Sequence, residues 1–385
     1  MEIESIKLLF QQNKELQLNH RYVTNKHIEP LLDNLSKVLK IETIGHSVLN
    51  KPIYGLSIGS GRKRILLWSQ MHGNESTTTK AIFDLLNTLV SNNPSLNHIL
   101  ENCTLYIIPI LNPDGANAYT RINANLVDLN RDAQDLTQPE SKVLRKVFNA
   151  FKPHYCYNLH GQRTIFGAGK SNKSATVSFL SPAQDEACTI TANRKIAMEI
   201  IAVMNAALQE VIPNQVGVYD DAFNINCVGD TFQSENIPTI LFEAGHYAND
   251  YAREQTRELI YISYLASLNY ISQNEITGAN YKPYLEIPEN EKCFFDIIIK
   301  NTKIKEGDNE SIVDIAIQYQ EKLIEGKINF IPKVEKIENL NGYFAHNLID
   351  ANNLEVFKED RQLLKIDDEI DLVILNNKNI SLLPK

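Results

Sequence analysis

The stretch RILLWSQMHGNESTTTKAIFDLLNTLV, residues 64–90, changes its hydrophobic period halfway along. Residues 65–68 form a continuous apolar run that reads as a buried strand, whereas from residue 77 onward Ile82, Leu85, Leu86 and Leu89 recur at helical spacing. His72, Gly73, Asn74 and Glu75 interrupt both patterns. A strand that hands over to a helix through such a turn opens a crossover connection, and in an open α/β sheet that turn lies on the ligand-binding rim.

The same alternation continues outward. Strand-like runs at 41–47, 53–58, 105–110, 155–159, 177–180 and 239–243 are separated by helical periods at 77–90, 139–151, 187–209 and 253–271, with a further helix at 25–39 and a polar loop over 112–138. Strands crossed by helices predict an α/β fold: a twisted, mostly parallel mixed sheet with helices on both faces. Residues 274–292 carry Gly278, Pro283 and Pro288 without helical period and read as a linker. Beyond it, short strand-like runs at 294–299, 313–319, 328–334 and 370–375 predict a small β-rich C-terminal domain. The expected division is therefore a catalytic domain over 1–280 and the β-rich domain over 281–385.

The 385 residues suffice for one large and one small core, and the net charge of -9 argues against a nucleic-acid-binding surface. The first seventeen residues lack the apolar region and cleavage site of a signal peptide, and no apolar run reaches membrane-spanning length. A cytoplasmic protein without membrane partners is expected. Five scattered cysteines with no Cys-x-x-Cys pair indicate neither a disulfide framework nor a thiolate metal site.

A catalytic zinc ion takes three protein ligands from His and Asp/Glu and keeps a fourth position open. His72 and Glu75 supply two across one turn. His-x-x-Glu alone is a weak pattern, as the ordinary helix-to-strand connection His98-Ile99-Leu100-Glu101 shows. The third candidate decides: the strand ending Asn158-Leu159-His160 brings a histidine to what should be the same sheet edge, and the strand Thr239-Ile240-Leu241-Phe242-Glu243 brings a carboxylate there too. His72, Glu75 and His160 make a metal set, with Glu243 as candidate general base. In the intervening loop, Arg131 beside Asn130 can clamp a carboxylate through two parallel hydrogen bonds, and Arg121 can face a developing oxyanion.

These motifs resemble the zinc carboxypeptidase family, the carboxypeptidase A/B type and its bacterial relatives acting on cell-wall peptides. The resemblance runs over residues 22–274 and rests on IETIGHSVLNKPIYGLSIG, HGNE, NPDG, the run from Arg121 to Arg131, QPES, NLHG and TILFEAG. It implies that His72, Glu75 and His160 bind one zinc ion and that Arg121 polarises the scissile carbonyl. Asn130 and Arg131 would hold the terminal carboxylate of a peptide substrate, with Glu243 activating the hydrolytic water. It further implies a mobile tyrosine, for which Tyr219 is the candidate against a merely packed loop aromatic. A side-chain pocket is implied near 227–231, where Asp230 either meets a basic group or forms a helix capping box with Gln233. Two departures stand out: Asn158 occupies the place of a usual aspartate, and Ala133 follows Asp132 where a larger residue is common.

The function expected is zinc-dependent hydrolysis of an amide beside a free carboxylate, with cell-wall-derived peptides as one substrate class. Two alternatives remain. One is an N-acyl amino acid deacylase of the aspartoacylase type, which shares HGNE and a DLNR stretch, although NPDG and QPES favour the peptidase. The other is a peptide-binding pseudopeptidase that uses the β-rich tail as its interaction surface.

Overall fold

The computed structural model describes residues 1–91, 93–306 and 309–384, and its first elements are two helices, α1 (Ile3–Asn13) and α2 (Asn25–Leu35). The sequence reading gives no helix at α1, whose apolar stripe is only three turns long. Ile3, Ile6, Leu9 and Phe10 nonetheless bury that stripe in the main core, with the Phe10 ring 5.3 Å from that of Tyr261. Strands β1 (Lys40–His46), β2 (Pro52–Ile58) and β3 (Lys63–Ser69) follow, then the helices α3 (Thr77–Val90) and α4 (Asn97–Asn102) and strand β4 (Cys103–Ile108). The expected polar loop over 112–138 contains a short helix, α5 (Pro113–Ala118), and a 3-10 turn at Leu129–Arg131. Next come α6 (Pro139–Phe151), β5 (Tyr155–Gly161), β6 (Phe166–Ala168), β7 (Val177–Leu180), α7 (Ala192–Gln209), β8 (Val216–Val218), α8 (Val228–Ser234), β9 (Thr239–Ala244) and α9 (Glu254–Gln273).

Eight of these strands form one sheet in the order β1-β2-β4-β3-β5-β9-β7-β8. The pairs β3/β4, β3/β5, β5/β9 and β7/β8 are parallel, whereas β1/β2, β2/β4 and β7/β9 are antiparallel, so the sheet is mixed with a parallel centre. Alternation within β3 divides its side chains between two cores. Ile65 and Leu67 pack in the core that holds α3, α7 and α9, whereas Leu66 and Trp68 pack in the one beneath α6 and α8. Each such side chain taken fully out of water stabilises the fold by roughly 1.5–3 kcal/mol, which ties the sheet to helices on both faces. Among the described residues no helix is long and apolar enough to cross a membrane.

Residues 274–292 differ from the linker expected of them. Tyr284 and Ile287 are buried in the main core, and β10 (Asn290–Lys292) pairs with β6. Local composition reads as a linker because the apolar residues here dock singly rather than at a helical or strand period. The C-terminal region then forms β11 (Phe294–Glu306), β12 (Asn309–Ile324), β13 (Lys327–Glu338) and β14 (Phe344–Asp350) in the sheet order β13-β12-β11-β14. The strands β15 (Val356–Phe357), β16 (Leu372–Leu375) and β17 (Lys378–Ser381) make a second sheet. Ile297, Ile299, Ile315, Ile317 and Val334 share a core with Val373 and Leu382. Asp296, fully buried, fastens this region to the rest. It accepts hydrogen bonds from Tyr251 Oη (2.9 Å), Thr164 Oγ1 (3.2 Å), the Tyr319 amide (2.8 Å) and Gln318 Nε2.

Candidate active site

Because β3, β5 and β9 are parallel neighbours, their C-terminal ends reach one edge, and His160 on β5 is in register with Glu243 on β9. The turn after β3 is locked from both sides. Gln70, in the left-handed backbone region (φ 44°), donates through Nε2 to Val23 O (3.0 Å) and Gly73 O (2.8 Å). Gly73 lies so close to the NPDG loop that a Cβ there would come 1.9 Å from the Gly115 carbonyl carbon, so only glycine fits. Asn112 caps α5 by accepting from the Gly115 amide (2.8 Å) and also donates to Met71 O (3.1 Å). The buried threonines at the start of α3 are satisfied too: Ser69 Oγ lies 2.8 Å from both Thr78 Oγ1 and Thr79 Oγ1.

The result is a convergence of three side chains. Glu75 Oε1 lies 3.0 Å from His72 Nδ1, Glu75 Oε2 lies 2.9 Å from His160 Nδ1, and the two Nδ1 atoms are 3.0 Å apart. The three potential ligand atoms all fall within 4.8 Å of one another. Two imidazole nitrogens facing one carboxylate across so short a gap form a donor set suited to one cation of the zinc type. Burial opposes charge on Glu75, but His72 and then His160 hold its carboxyl well below the usual range. Burial also keeps His160 below the usual histidine range. On His72, burial is outweighed by Glu75, which moves the imidazole upward.

Sequence reasoning passes over Asp128. Its Oδ1 lies 3.0 Å from His72 Nε2 and accepts from the Asn130 amide (2.9 Å), while Oδ2 accepts from Arg121 Nε (3.0 Å). The signal was available in its place two residues before Asn130, but an aspartate opening a turn reads first as a cap. Asp128 therefore supplies a carboxylate partner to His72. Asn158 is buried, lines the cavity, and its Oδ1 finds no hydrogen-bond partner among the described residues.

A cavity of about 1080 Å³ joins this triad to every other residue singled out from the sequence: Arg121, Asn130, Arg131, Tyr219, Asp230 and Glu243. Arg121 is half exposed and its Nη1 lies 3.6 Å from Glu75 Oε1. Glu243 Oε2 is buried without a partner, and burial, reinforced by the charge of Glu75, pushes its carboxyl well above the usual range. Asn130 uses its Oδ1 to accept from the Val228 amide (3.1 Å), and Arg131 Nη1 donates to the backbone carbonyl of Asn130 (2.8 Å), so each side chain is anchored where it lines the cavity. The motifs flanking them act as braces. Asn123 and Asn125 both donate to Gln138 Oε1 (2.9 Å each), and Glu140 accepts from the Val48 amide (3.1 Å).

Tyr219 follows directly on β8, lines the cavity, and sets its ring against Phe166 at 5.4 Å in an edge-to-face arrangement. Asp230 does not open a capping box. It sits inside α8, whose N-cap is Cys227, and Gln233 instead accepts from the Thr239 amide (2.8 Å). Burial pushes the Asp230 carboxyl up to about 6. Ala133 is buried in the core that also holds Met71, Leu129 and Leu144.

Comparison with known proteins finds similarity to one family. Residues 24–210 match the family model described as zinc carboxypeptidase. Over 169 residues the chain is 31% identical to carboxypeptidase SOL1 of Arabidopsis thaliana, an overlap of 38% of this chain and 34% of that protein. The chain thus spans about a third of that relative's length. Over 82 residues it is 39% identical to gamma-D-glutamyl-L-diamino acid endopeptidase 1 of Lysinibacillus sphaericus, covering 19% of this chain and 21% of that one. Among solved structures, a metallo-carboxypeptidase from Burkholderia cenocepacia aligns with a TM-score of 0.52 at 17% identity, covering 64% of this chain and 69% of the other. Carboxypeptidase A from Helicoverpa armigera aligns with a TM-score of 0.51 at 17% identity, covering 69% and 80%. The structural likeness establishes the fold.

Proposed function

Because residues 24–210 match the zinc carboxypeptidase family model, we propose that the chain is a zinc-dependent peptidase that hydrolyses the amide next to a free C-terminal carboxylate. The observation that carries this reading is the shared cavity: a His72–Glu75–His160 donor set, an unpaired Glu243 and a braced Asn130–Arg131 pair all face one space. His72 Nδ1, Glu75 and His160 Nδ1 would hold the metal, which when bound would supply Lewis-acid polarisation of the scissile carbonyl and of the attacking water.

The chain's own groups account for the remaining steps. Asn130 Nδ2 and the Arg131 guanidinium bind the terminal carboxylate and so fix which amide is presented. Glu243 takes a proton from the attacking water as the new C–O bond forms, and returns it to the amide nitrogen as the C–N bond breaks. Arg121, held by Asp128, faces the oxygen on which negative charge develops; one such donor is worth on the order of 3 kcal/mol. Asp230, close enough to Arg131 to feel its charge, suits a substrate whose terminal side chain is basic, such as lysine or diaminopimelate. The likeness to an endopeptidase named for a diamino acid bond supports cell-wall-derived peptides as one source.

The test compares short peptides with free and amidated C-termini, using the parent and Glu243→Gln, with zinc content measured in both. The parent should strongly prefer the free acid, and Glu243→Gln should keep its metal while losing roughly 10²–10⁴-fold in turnover. Equal cleavage of free and amidated peptides would make the protein an amidase or deacylase. Absence of turnover with full metal content would make it a peptide-binding protein.

A further inference from the structure

The C-terminal β-rich region reaches into the active-site cavity. Residues 319–322 of β12 line it together with the metal-binding residues, and they bring Glu321 to its wall. Glu321 Oε1 lies 2.8 Å from Arg21 Nη1, and Glu321 Oε2 accepts from Tyr119 Oη at 2.5 Å. Both partners stand behind it: Arg21 Nε and Nη1 are sealed from solvent and Tyr119 is 8% exposed, whereas a quarter of the Glu321 side chain remains open. Its neighbour Lys322 is turned to Glu369, to which it is bonded at 2.8 and 3.0 Å. The carboxylate on this wall is thus held by an ion pair with Arg21 and a hydrogen bond from Tyr119, and its exposed quarter leaves accepting positions open. The Asp296 network, which ties Thr164 and Tyr251 to the start of β11 and to Gln318 and Tyr319 of β12, fixes the strand that carries it.

Among the described residues, the cavity has two polar clusters with no hydrogen bond joining them. Asn130, Arg131 and Asp230 form one, and Arg21, Tyr119 and Glu321 form the other. The metal-ligand set, Arg121 and Glu243 line the same cavity. A peptide whose terminal carboxylate occupies Arg131 and whose scissile amide lies at the metal-ligand set must extend its acyl side away from the first cluster. We propose that Glu321 is a specificity-determining residue that reads a cationic group, the ammonium of a lysine-like side chain, on the part of the substrate preceding the scissile bond. The inference rests on the carboxypeptidase reading and deepens it: the β-rich region is part of the substrate site.

The experiment uses the full chain with zinc and peptides that share one C-terminal residue. They carry lysine, norleucine or glutamate before the scissile bond, each with a free or an acetylated N-terminus. For the parent, the lysine peptide should exceed its norleucine counterpart by about tenfold in kcat/KM, the size of one charge-assisted hydrogen bond. In Glu321→Gln, which keeps the shape, one acceptor oxygen for Arg21 and an NH₂ group that can donate to the Tyr119 hydroxyl oxygen, that ratio should fall toward one while the norleucine peptide and the demand for a free carboxylate stay within about threefold. A uniform loss over all peptides, or an unchanged ratio, would overturn the inference. Should the variant fold poorly, the parent alone decides. Its lysine-to-norleucine ratio should shrink as salt rises, and a ratio near one at low salt would reject the idea. The peptidase reading fails separately, when the parent cleaves none of the peptides or ignores amidation; Glu321 then loses its assigned role as well.

Discussion

Asp128→Asn should weaken metal binding without disturbing the fold, because the carboxylate sits one bond away from a proposed ligand. Asp128 Oδ1 lies 3.0 Å from His72 Nε2 and Oδ2 accepts from Arg121 Nε at 3.0 Å. Burial works against its charge, but the hydrogen bond with His72 and then the charge of Arg121 hold the carboxyl well below its usual range. The negative charge makes His72 Nδ1 a better donor and fixes the tautomer that leaves Nδ1 free for the metal. Asparagine keeps the Oδ1 acceptor for His72 but loses the charge, and it turns an NH₂ group toward Arg121 Nε, donor against donor. Losing such a partner costs about 10–100-fold in metal affinity, or roughly 1.4–2.7 kcal/mol. Competition titration of the apo protein against a chromophoric zinc chelator reads this directly, with thermal unfolding of the apo forms as the control. Equal affinities within twofold, at equal apo stability, would show that Asp128 does not tune His72. Asp128→Ala, which also releases the Asn130 amide and Arg121, should lose more.

Two further outcomes follow from single groups. The Asp230 carboxyl, pushed up to about 6 by burial, is mostly neutral at pH 5 and mostly charged at pH 7. KM for a peptide ending in lysine should therefore fall between those values, KM for one ending in alanine should not, and Asp230→Asn should remove the difference. A lysine profile parallel to the alanine one would remove Asp230 from substrate reading. Far from the site, Asp84 accepts from Arg257 Nε and Nη2 at 2.6 Å each, with both side chains fully buried, and Arg257 also binds Leu18 O and Glu15 O. Among the described residues, Asp84→Ala leaves the buried guanidinium with only the longer contact to Glu254 Oε2 (3.2 Å) as counter-charge and should cost about 3–5 kcal/mol in denaturant unfolding; a loss under 1 kcal/mol would contradict that account.

The sequence by itself determined the strand-to-helix turn at residues 69–77 and the sheet edge on which it sits. Those features are local: an apolar run gives way to a helical period, and motif residues stand at the ends of strands. Parallel neighbours point the same way, so His160 and Glu243 reach one rim once β5 and β9 are recognised as crossover strands. The braces were legible as motifs but not as braces, because an asparagine in Arg-x-Asn-Ala-Asn acquires meaning only when Gln138 arrives from thirteen or fifteen residues away.

Tertiary structure alone decided the rest. Asp128 and His72 are 56 residues apart, and no spacing rule links an Asx turn to the second nitrogen of one particular histidine. α1 carries too short an apolar stripe to declare itself, and becomes a helix by packing on α9. Asp230 had two local readings, and the position of the α8 N-cap at Cys227 chose between them. Glu321 is the extreme case. On a strand with polar residues around it, it reads as a solvated face, and only the docking of β12 against Arg21 and Tyr119, some 300 and 202 residues away in sequence, turns it toward the cavity. Periodicity reports which side of an element is buried, but not which distant element buries it, because that choice depends on the contacts of the folded chain as a whole.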